Sequence, residues 1–370
     1  MSVTVKHIEL PVDRRVFALS DVHGNLDYLK GLLDKIAFSP DDVLLILGDL
    51  VDKGPRSLDT LRYIMQLCKT HAVHVLRGNC DRLLLDELPD EWLFHYRTAW
   101  QGNLLMNELA RKLDFTIGSP ADIPVLRTLV QREFPEEYEF LMGLPVILES
   151  GQYIFVHGGI PGEDSLQHLE TLTDWGCTKN DDFVHQGHSF RRWCIVGHWP
   201  ATLYRTDYPC ANPLISQEQH IVSIDGGCVI KRDGQLNALH LPAVPDGSFV
   251  WTAYDALPTA VAAAGQAPST GSINIRYGDN ALTILERGDE FCTCLHHSSG
   301  RRIDILTRDI IENKHGVFCE DSTDYLLPVQ PGDTLSIIQE TSRGWLVKKD
   351  GVTGWYRGAL TGRDMPCAAP

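Results

Sequence analysis

Residues 43–55 read VLLILGDLVDKGP, and this stretch decides the fold. Its first five residues have the aliphatic composition of a buried strand, and Gly48 and Asp49 follow directly. Residues 16–25, VFALSDVHGN, repeat the arrangement, with an apolar run before Asp21 and His23. In layered α/β proteins the chemistry lies just beyond the carboxyl ends of such strands. The two stretches therefore predict an α/β domain with polar side chains gathered at one edge of a sheet.

Four further apolar runs end in the same way. Each is followed, within three residues, by a side chain that can bind a metal ion through oxygen or nitrogen. Most of these side chains also have a neighbouring glycine, which permits a tight turn and close backbone approach. Repetition of this pattern predicts one shared site. The four runs are 73–76 before Asn79, 153–156 before His157, 194–197 before His198 and 221–224 before Asp225.

The residue types at these strand ends suit a site for two divalent metal ions. A carboxylate such as Asp49 can bridge two ions through its two oxygens, and mixed oxygen and nitrogen ligands favour Mn, with Fe or Zn as alternatives. Two ions would lower the pKa of a bridging water and hold an in-line displacement at phosphorus. Hydrolysis of a phosphate ester by a metal-bridging hydroxide is therefore expected. The predicted ligands are Asp21, His23, Asp49, Asn79, His157 and His198.

Composition excludes several functional classes. No stretch approaches the ~18 apolar residues of a membrane span, and the first residues lack the apolar core of a signal peptide, so we expect a cytoplasmic protein without membrane contact. The net charge of −16 disfavours non-specific nucleic-acid binding, which needs clustered Lys and Arg. The 10 cysteines are scattered singly for the most part, as expected of reduced thiols.

A chain of 370 residues allows two or three domains. Helical periodicity predicts helices over Leu26–Ile36 and Ser57–Cys68, and a helical insertion over about 81–144. Short alternating runs with turns after residue 272 predict a small β-barrel pattern. The predicted division is a catalytic domain over 1–241, a Pro-, Gly- and Ala-rich linker over 242–271, and a β-rich region over 272–370.

Five of these sequence blocks resemble the signatures of the calcineurin-like metallophosphoesterases, and within them the phosphoprotein phosphatases and bacterial diadenosine tetraphosphatases. The resemblance implies a four-layer α/β/β/α sandwich with a dinuclear centre. It assigns Asp21, His23 and Asp49 to a first metal, and Asp49, Asn79, His157 and His198 to a second. The end of the chain, about 328–362, resembles an SH3-like module that binds a protein or mediates self-association. The blocks are DVHGN at 21–25, GDLVDKGP at 48–55, RGNCD at 77–81, VHGG at 156–159 and VGH at 196–198.

Two positions depart from the family pattern. The family's protein phosphatases have a proton-donating histidine where this chain has Cys80, although its partner Asp52 is retained. Asp52 and Cys80 are therefore the predicted catalytic residues on the leaving-group side, with a thiol less suited to acid catalysis than imidazole. Lys53 replaces an arginine that would hold two phosphate oxygens, and lysine lacks the planar fork. The predicted substrate-binding cations are Lys53, Arg56, Arg77, Arg191 and Arg192.

The sequence thus predicts a metal-dependent phosphoesterase. A phosphorylated protein is the favoured substrate, on the resemblance of the second block. Hydrolysis of diadenosine tetraphosphate is the alternative, since the continuation of the same block resembles those enzymes equally. Hydrolysis of a phosphodiester ranks third, since Cys80 in the third block resembles small bacterial phosphodiesterases of the same superfamily. An alternative of another class is a non-catalytic protein that binds phosphorylated ligands, because the usual proton donor is absent.

Overall fold

The computed structural model describes residues 3–82, 88–244 and 247–364. Their contacts form two compact units, one made of residues up to 201 with 212–256, the other of 202–211 with the chain from 257 onward. The first unit is α/β and the second is all β, which confirms the predicted fold class. Within the described residues, no helix combines the length and apolar composition needed to cross a bilayer.

Within the residues that the structure describes, the first unit contains eleven strands and seven α-helices. Its strands are β1 (Val5–His7), β2 (Val16–Leu19), β3 (Val43–Ile46), β4 (Ala72–Val75), β5 (Ile147–Glu149), β6 (Tyr153–Val156), β7 (Trp193–Val196), β8 (Leu214–Ser216), β9 (Ile221–Ser223), β10 (Leu236–His240) and β11 (Val250–Tyr254). Its helices are α1 (Leu26–Lys35), α2 (Ser57–Thr70), α3 (Asp90–Tyr96), α4 (Leu105–Lys112), α5 (Asp122–Glu133), α6 (Pro135–Met142) and α7 (Asp174–Thr178).

Two sheets face each other across a core. One has the strand order β11-β10-β2-β3-β4 and the other β1-β5-β6-β7-β9-β8. Along β2, Phe17 and Leu19 belong to a core with the helices, whereas Val16 and Ala18 belong to a core shared with the second sheet. This alternation follows from the two-residue period of a strand. It explains why the strand is apolar throughout, since both of its faces are buried.

Strand direction determines where the polar residues lie. In the first sheet β2, β3 and β4 are parallel, and in the second β6, β7 and β9 are parallel. Parallel strands place their carboxyl ends at the same edge of a sheet. Each sheet therefore brings three of the six strand ends that carry polar residues to one edge. All six predicted strands are present, and α1 and α2 begin at the predicted residues.

The region predicted as a helical insertion contains α3 to α6, and two carboxylates join α4 to the second sequence block and to the start of α2. Asp52 Oδ1 accepts the Leu105 backbone N–H at 2.6 Å, at the start of α4. In return Glu108 accepts the backbone N–H groups of Ser57 and Leu58 at 2.7 and 2.9 Å, at the start of α2. A carboxylate at a helix N-terminus satisfies free N–H groups and the helix dipole. Each helix is therefore capped by the other segment.

The second unit is built from twelve strands. They form two five-stranded sheets, in the orders β22-β21-β20-β12-β23 and β16-β15-β14-β18-β17, and a β13-β19 pair. The SH3-like character of its end stays a prediction. The strands are β12 (Thr259–Ala262), β13 (Asn274–Ile275), β14 (Ala281–Glu286), β15 (Phe291–His296), β16 (Arg302–Leu306), β17 (Ile310–Asn313), β18 (Gly316–Cys319), β19 (Ser322–Thr323), β20 (Thr334–Thr341), β21 (Gly344–Lys349), β22 (Val352–Tyr356) and β23 (Leu360–Asp364).

The predicted domain boundaries need two corrections. The stretch 242–271, interpreted as a linker, contains β11 and β12, each paired within a five-stranded sheet. Alanine is a weak strand former, so the composition of this segment did not predict a strand. Its small buried side chains nevertheless fit the position of β12 between β20 and β23. In addition, residues 202–211 lie in the second unit, where Ala211 N–H donates to Gly351 O at 2.8 Å.

The reciprocal capping predicts that Glu108→Ala loosens the start of α2. Loss of two hydrogen bonds to a charged acceptor should speed amide exchange at Ser57 and Leu58 about tenfold or more, as measured by native-state hydrogen exchange. Glu139→Ala, at an exposed site on α6, serves as the control. Unchanged exchange at these two amides in Glu108→Ala would show that the carboxylate does not hold the two segments together.

Candidate metal centre

The six predicted metal ligands follow the strand ends as expected, and five of them are nearly or fully buried. Asp21 and Asp49 are 1% exposed, His23 and His157 are 0% exposed and His198 is 9% exposed. Burial of ionisable side chains is costly unless they are paired or bind a metal. The energetic cost of burying these ionisable side chains therefore indicates that they pair with one another or bind a metal ion.

Several of these residues have a left-handed backbone. The φ angles of Asp21, His23, Asp49 and His198 are 56°, 49°, 50° and 67°. Non-glycine residues seldom adopt this conformation, and where they do, they cluster at functional sites that hold them in place. The holding contacts include Asp21 N–H to Gly48 O at 3.1 Å and His23 N–H to Asp49 O at 2.9 Å. Each turn therefore directs its side chain into the same small volume.

On one side of Asp49, three electron-pair donors converge. His23 Nε2 lies 3.7 Å from Asp21 Oδ1 and 3.6 Å from Asp49 Oδ2. In the described part of the chain, neither of these two oxygens accepts a hydrogen bond. His23 Nδ1 contacts Val51 O at 3.5 Å, which places its proton on that nitrogen and leaves Nε2 with a lone pair. Two carboxylate oxygens and an imidazole nitrogen thus face one another, as ligands of a cation do.

On the other side of Asp49, a second group of acceptors converges. One terminal atom of the Asn79 amide lies 3.3 Å from His157 Nε2 and 2.9 Å from His198 Nδ1, the place from which an amide oxygen would join the two imidazoles as a ligand. His157 Nδ1 donates to Leu47 O at 2.6 Å, and His198 Nε2 donates to Asp181 Oδ1 at 2.7 Å. These bonds fix the protons on the outward nitrogens, so the inward nitrogens carry lone pairs. His157 Nε2 is also 3.4 Å from Asp49 Oδ1, which makes Asp49 common to both groups.

The donor set therefore fits two divalent cations. Ligand atoms of Asp21, Asp49 and His157 lie within 4.8 Å of one another, and so do those of His23, Asp49 and Cys80. Asp49 belongs to both trios, as a bridging carboxylate would. The trios do not divide the ligands as the family resemblance implies, because His157 approaches Asp21 and because the Cys80 thiol joins His23.

The charges of the site influence one another strongly. Burial lowers the pKa of His157, but the neighbouring carboxylates of Asp49 and Asp21 outweigh it and raise the pKa to about 9. Burial, with the Lys53 ammonium, lowers the pKa of His23 to about 3. Burial raises the pKa of Asp52 to about 8. The raised pKa values of His157 and Asp52 reflect burial and neighbouring carboxylates, and added positive charge would stabilise the ionised carboxylates.

Sequence reasoning missed Asp81, which links the second and third blocks. Asp81 is 1% exposed, and its carboxylate accepts the backbone N–H groups of Asp49, Leu50 and Gly78 at 2.9, 2.8 and 2.7 Å. It thereby holds the loop that presents Asp49. Its position two residues after Asn79 was the available signal, but a ligand search passes over a carboxylate that contacts backbone.

Sequence reasoning also missed Asp181 and Lys179, which lie beside His198. Asp181 accepts from His198 Nε2, and the Lys179 ammonium contacts both His198 Nε2, at 3.3 Å, and Asp181. The hydrogen bond from His198 lowers the pKa of Asp181, so this carboxylate stays ionised. These residues follow α7 rather than a strand, so the strand-end pattern could not identify them.

Of the five predicted substrate-binding cations, Lys53 lies at the centre. Its ammonium is 3.3 Å from His23 Nε2 and 3.9 Å from Asp49 Oδ2. Arg56 pairs with Asp27 instead. The prediction for Arg77 needs correction, because its guanidinium is buried, contacts Asp174 at 2.8 Å and donates to Met142 O at 2.7 Å. Arg77 is therefore a structural cation.

The prediction for Arg191 and Arg192 also needs correction. These residues precede β7, whereas His198 follows it, so about 20 Å of extended chain separates Arg192 from His198. Arg192 pairs with Glu149 and Glu163, both at 2.6 Å, and Arg191 also pairs with Glu163, at 3.4 Å. The pair lies at the end of the sheet opposite the ligands.

Comparison with known proteins identifies similar chains. The family described as calcineurin-like phosphoesterase matches residues 14–220. The asymmetrical bis(5'-nucleosyl)-tetraphosphatase PrpE of Bacillus velezensis is 26% identical over 60% of this chain and 88% of its own. The symmetrical bis(5'-nucleosyl)-tetraphosphatase of Serratia proteamaculans is 49% identical over 19% of this chain and 24% of its own. The crystal structure of a putative diadenosine tetraphosphatase has a TM-score of 0.42, 20% identity, and coverage of 69% of this chain and 99% of that one.

The contact between His198 and Asp181 predicts that Asp181→Asn weakens metal binding. Loss of the carboxylate that orients a ligand imidazole typically lowers metal affinity about 10- to 100-fold. The affinity for Mn²⁺ can be measured by calorimetric titration of the metal-free protein. Asp182→Asn removes the same charge one residue away, from a side chain that pairs with His185, and should leave the affinity unchanged. Equal affinities in the two variants would contradict the assignment.

Proposed function

Because the chain belongs to the calcineurin-like phosphoesterase family, we propose that it hydrolyses phosphate esters or anhydrides at a dinuclear metal centre. The observation that carries this proposal is the convergence of two groups of lone pairs on the two oxygens of Asp49. Asp21, His23, Asp49, Asn79, His157 and His198 would hold the ions, with Mn as the first choice. When bound, two such ions supply a water nucleophile ionised near neutral pH and offset the charge of the phosphate.

The protein's own residues would position the substrate. The Lys53 ammonium, fixed between His23 and Asp49, is placed to contact a phosphate oxygen as a point charge. Asp52 caps α4, which fixes the helical insertion beside the site. Cys80 is 2% exposed and donates its backbone N–H to Asp49 Oδ1 at 2.8 Å, so its thiol faces the centre from a fixed position.

The thiol at position 80 favours a substrate with a good leaving group. A serine alkoxide is strongly basic and must be protonated as it leaves, and an imidazole performs this better than a thiol near pH 7. A nucleotide released from a phosphoanhydride leaves as a phosphate group, whose second pKa is about 6, so it needs no proton. We therefore place a dinucleoside tetraphosphate first, in agreement with the activities for which the two relatives are named.

A phosphorylated protein is the second candidate. Retention of Asp52 within the second block, which resembles the protein phosphatases, supports it. Among phosphoproteins, phosphotyrosine suits Cys80 better than phosphoserine, because a phenol has a pKa of about 10. The order of the two substrates thus reverses the expectation from sequence alone, and the reason is the chemistry of the leaving group.

The test is steady-state hydrolysis with added Mn²⁺. The substrates are diadenosine tetraphosphate, phosphoserine and phosphotyrosine peptides, and a simple phosphodiester. We expect the highest kcat/KM for the dinucleotide and no activity above background for Asp49→Asn, while Asp41→Asn, at an exposed loop site, retains it. Preference for a phosphopeptide would contradict the substrate order, and preference for the diester would make the protein a phosphodiesterase. Metal binding without any hydrolysis would support the non-catalytic alternative.

Substitution at position 80 should separate the substrates further. Cys80→His restores an imidazole acid and should raise kcat for the phosphoserine peptide about tenfold or more, while leaving dinucleotide hydrolysis nearly unchanged. Circular dichroism verifies that the larger side chain is accommodated. Cys68→His, on α2, controls for the added imidazole. An equal gain on both substrates would show that leaving-group protonation does not determine the preference.

A further inference from the structure

Three aromatic side chains follow one another at helical spacing on the insertion. Trp92 and Tyr96 lie one turn apart on α3, with ring centroids 4.6 Å apart and planes within 12°. Trp100 follows in the next turn of chain. Trp92 is 42% exposed and Trp100 is 38% exposed, which is unusual for side chains of this size. We call these three residues the aromatic shelf.

The aromatic shelf adjoins the metal centre through Lys53. The Lys53 ammonium lies 5.5 Å from the centroid of the Trp100 ring, a cation–π distance. The same ammonium is 3.3 Å from His23 Nε2. Burial raises the pKa of the Tyr96 hydroxyl, while the nearby Lys53 ammonium lowers it. Trp100, one residue of the aromatic shelf, therefore lies next to Lys53, the cation proposed to bind a phosphate.

The backbone holds Trp100 in a costly conformation. Its φ and ψ are 52° and 38°, and Gln101 continues with φ 56°. A bulky residue with positive φ is an outlier that the surroundings must impose. Asn107, on α4, fixes this turn by donating to Arg97 O at 2.7 Å and to Gly102 O at 2.9 Å. The indole is thus set in place by the helix that Asp52 caps.

We propose that the aromatic shelf is a substrate subsite that stacks a nucleobase while the phosphate next to it contacts Lys53. This inference rests on the proposed function, since it assumes a phosphate at the metal centre. Exposed indole faces bind any planar base, and stacking contributes substantial affinity without sequence-specific hydrogen bonds. The ligand class is a purine joined to a phosphate chain. A phosphotyrosine ring is also planar and aromatic, and the experiment distinguishes it from a nucleobase.

The experiment compares Trp100→Ala with Trp251→Ala. Trp251 lies on β11 of the same unit and is 39% exposed, so it matches Trp100 in size and exposure. Loss of one stacked base should lower kcat/KM for diadenosine tetraphosphate about tenfold in Trp100→Ala. Hydrolysis of inorganic tripolyphosphate, which has no base, should stay within about twofold. Trp100→Phe should recover most of the loss because it keeps a ring.

A binding measurement accompanies the kinetics. Titration of the metal-free protein with ADP should quench tryptophan fluorescence, and Trp100→Ala should weaken ADP binding about tenfold relative to Trp251→Ala. Equal losses on both substrates, or no loss on either, would overturn the proposal. A loss confined to a phosphotyrosine peptide would also overturn it. If the wild type leaves the dinucleotide intact, the proposed function fails, and the ADP titration then decides on the shelf independently.

Discussion

The structure depends on the burial of several carboxylates in one small volume without enough positive charge to balance them. Each is at most 2% exposed. The Lys53 ammonium is a nearby cation, and burial raises the pKa of several of these carboxyls. A buried charge is tolerated only when paired or bound to metal, so the centre requires cations. The carboxylates are Asp21, Asp49, Asp52, Asp81 and Asp225.

The fold supplies this arrangement through strand direction and backbone turns. Parallel strands in both sheets end at one edge, and left-handed residues just beyond them turn the ligands inward. The Asp81 carboxylate accepts a hydrogen bond from the backbone of Asp49 and so holds the loop that carries it. The carboxylates of Asp52 and Glu108 join the helical insertion to this loop and to the start of α2. The same insertion carries the aromatic shelf, so the contacts that hold the ligand loop also position the proposed nucleobase subsite.

Much of this could be predicted from sequence, because strands and ligands are local patterns. An apolar run followed by Asp, Asn or His is visible without any tertiary contact, and six such runs indicated one site. The predictions that were wrong depended on tertiary structure, which a local sequence pattern does not contain. The placement of Arg191 and Arg192 required strand polarity, since a residue before a strand lies at the edge opposite a residue after it. The buried ion pair of Arg77 required its distant partner Asp174.

The remaining misses have similar causes. Asp181 reaches His198 from a loop after a short helix, and Asp81 acts on backbone groups, so neither follows the pattern that was searched. β12 pairs with β20 and β23, far along the chain, and its alanine-rich sequence has little strand character of its own. Long-range pairing overrides weak local preference here, as it does for 202–211, which joins the second unit.

The most direct test of the central claim is anomalous diffraction from crystals grown with Mn²⁺. The account predicts two anomalous peaks roughly 3.5–4 Å apart, both within coordination distance of Asp49, one toward His23 and the other toward Asn79 and His198. A single peak, or peaks that do not share Asp49, would contradict the dinuclear centre on which the proposed chemistry depends.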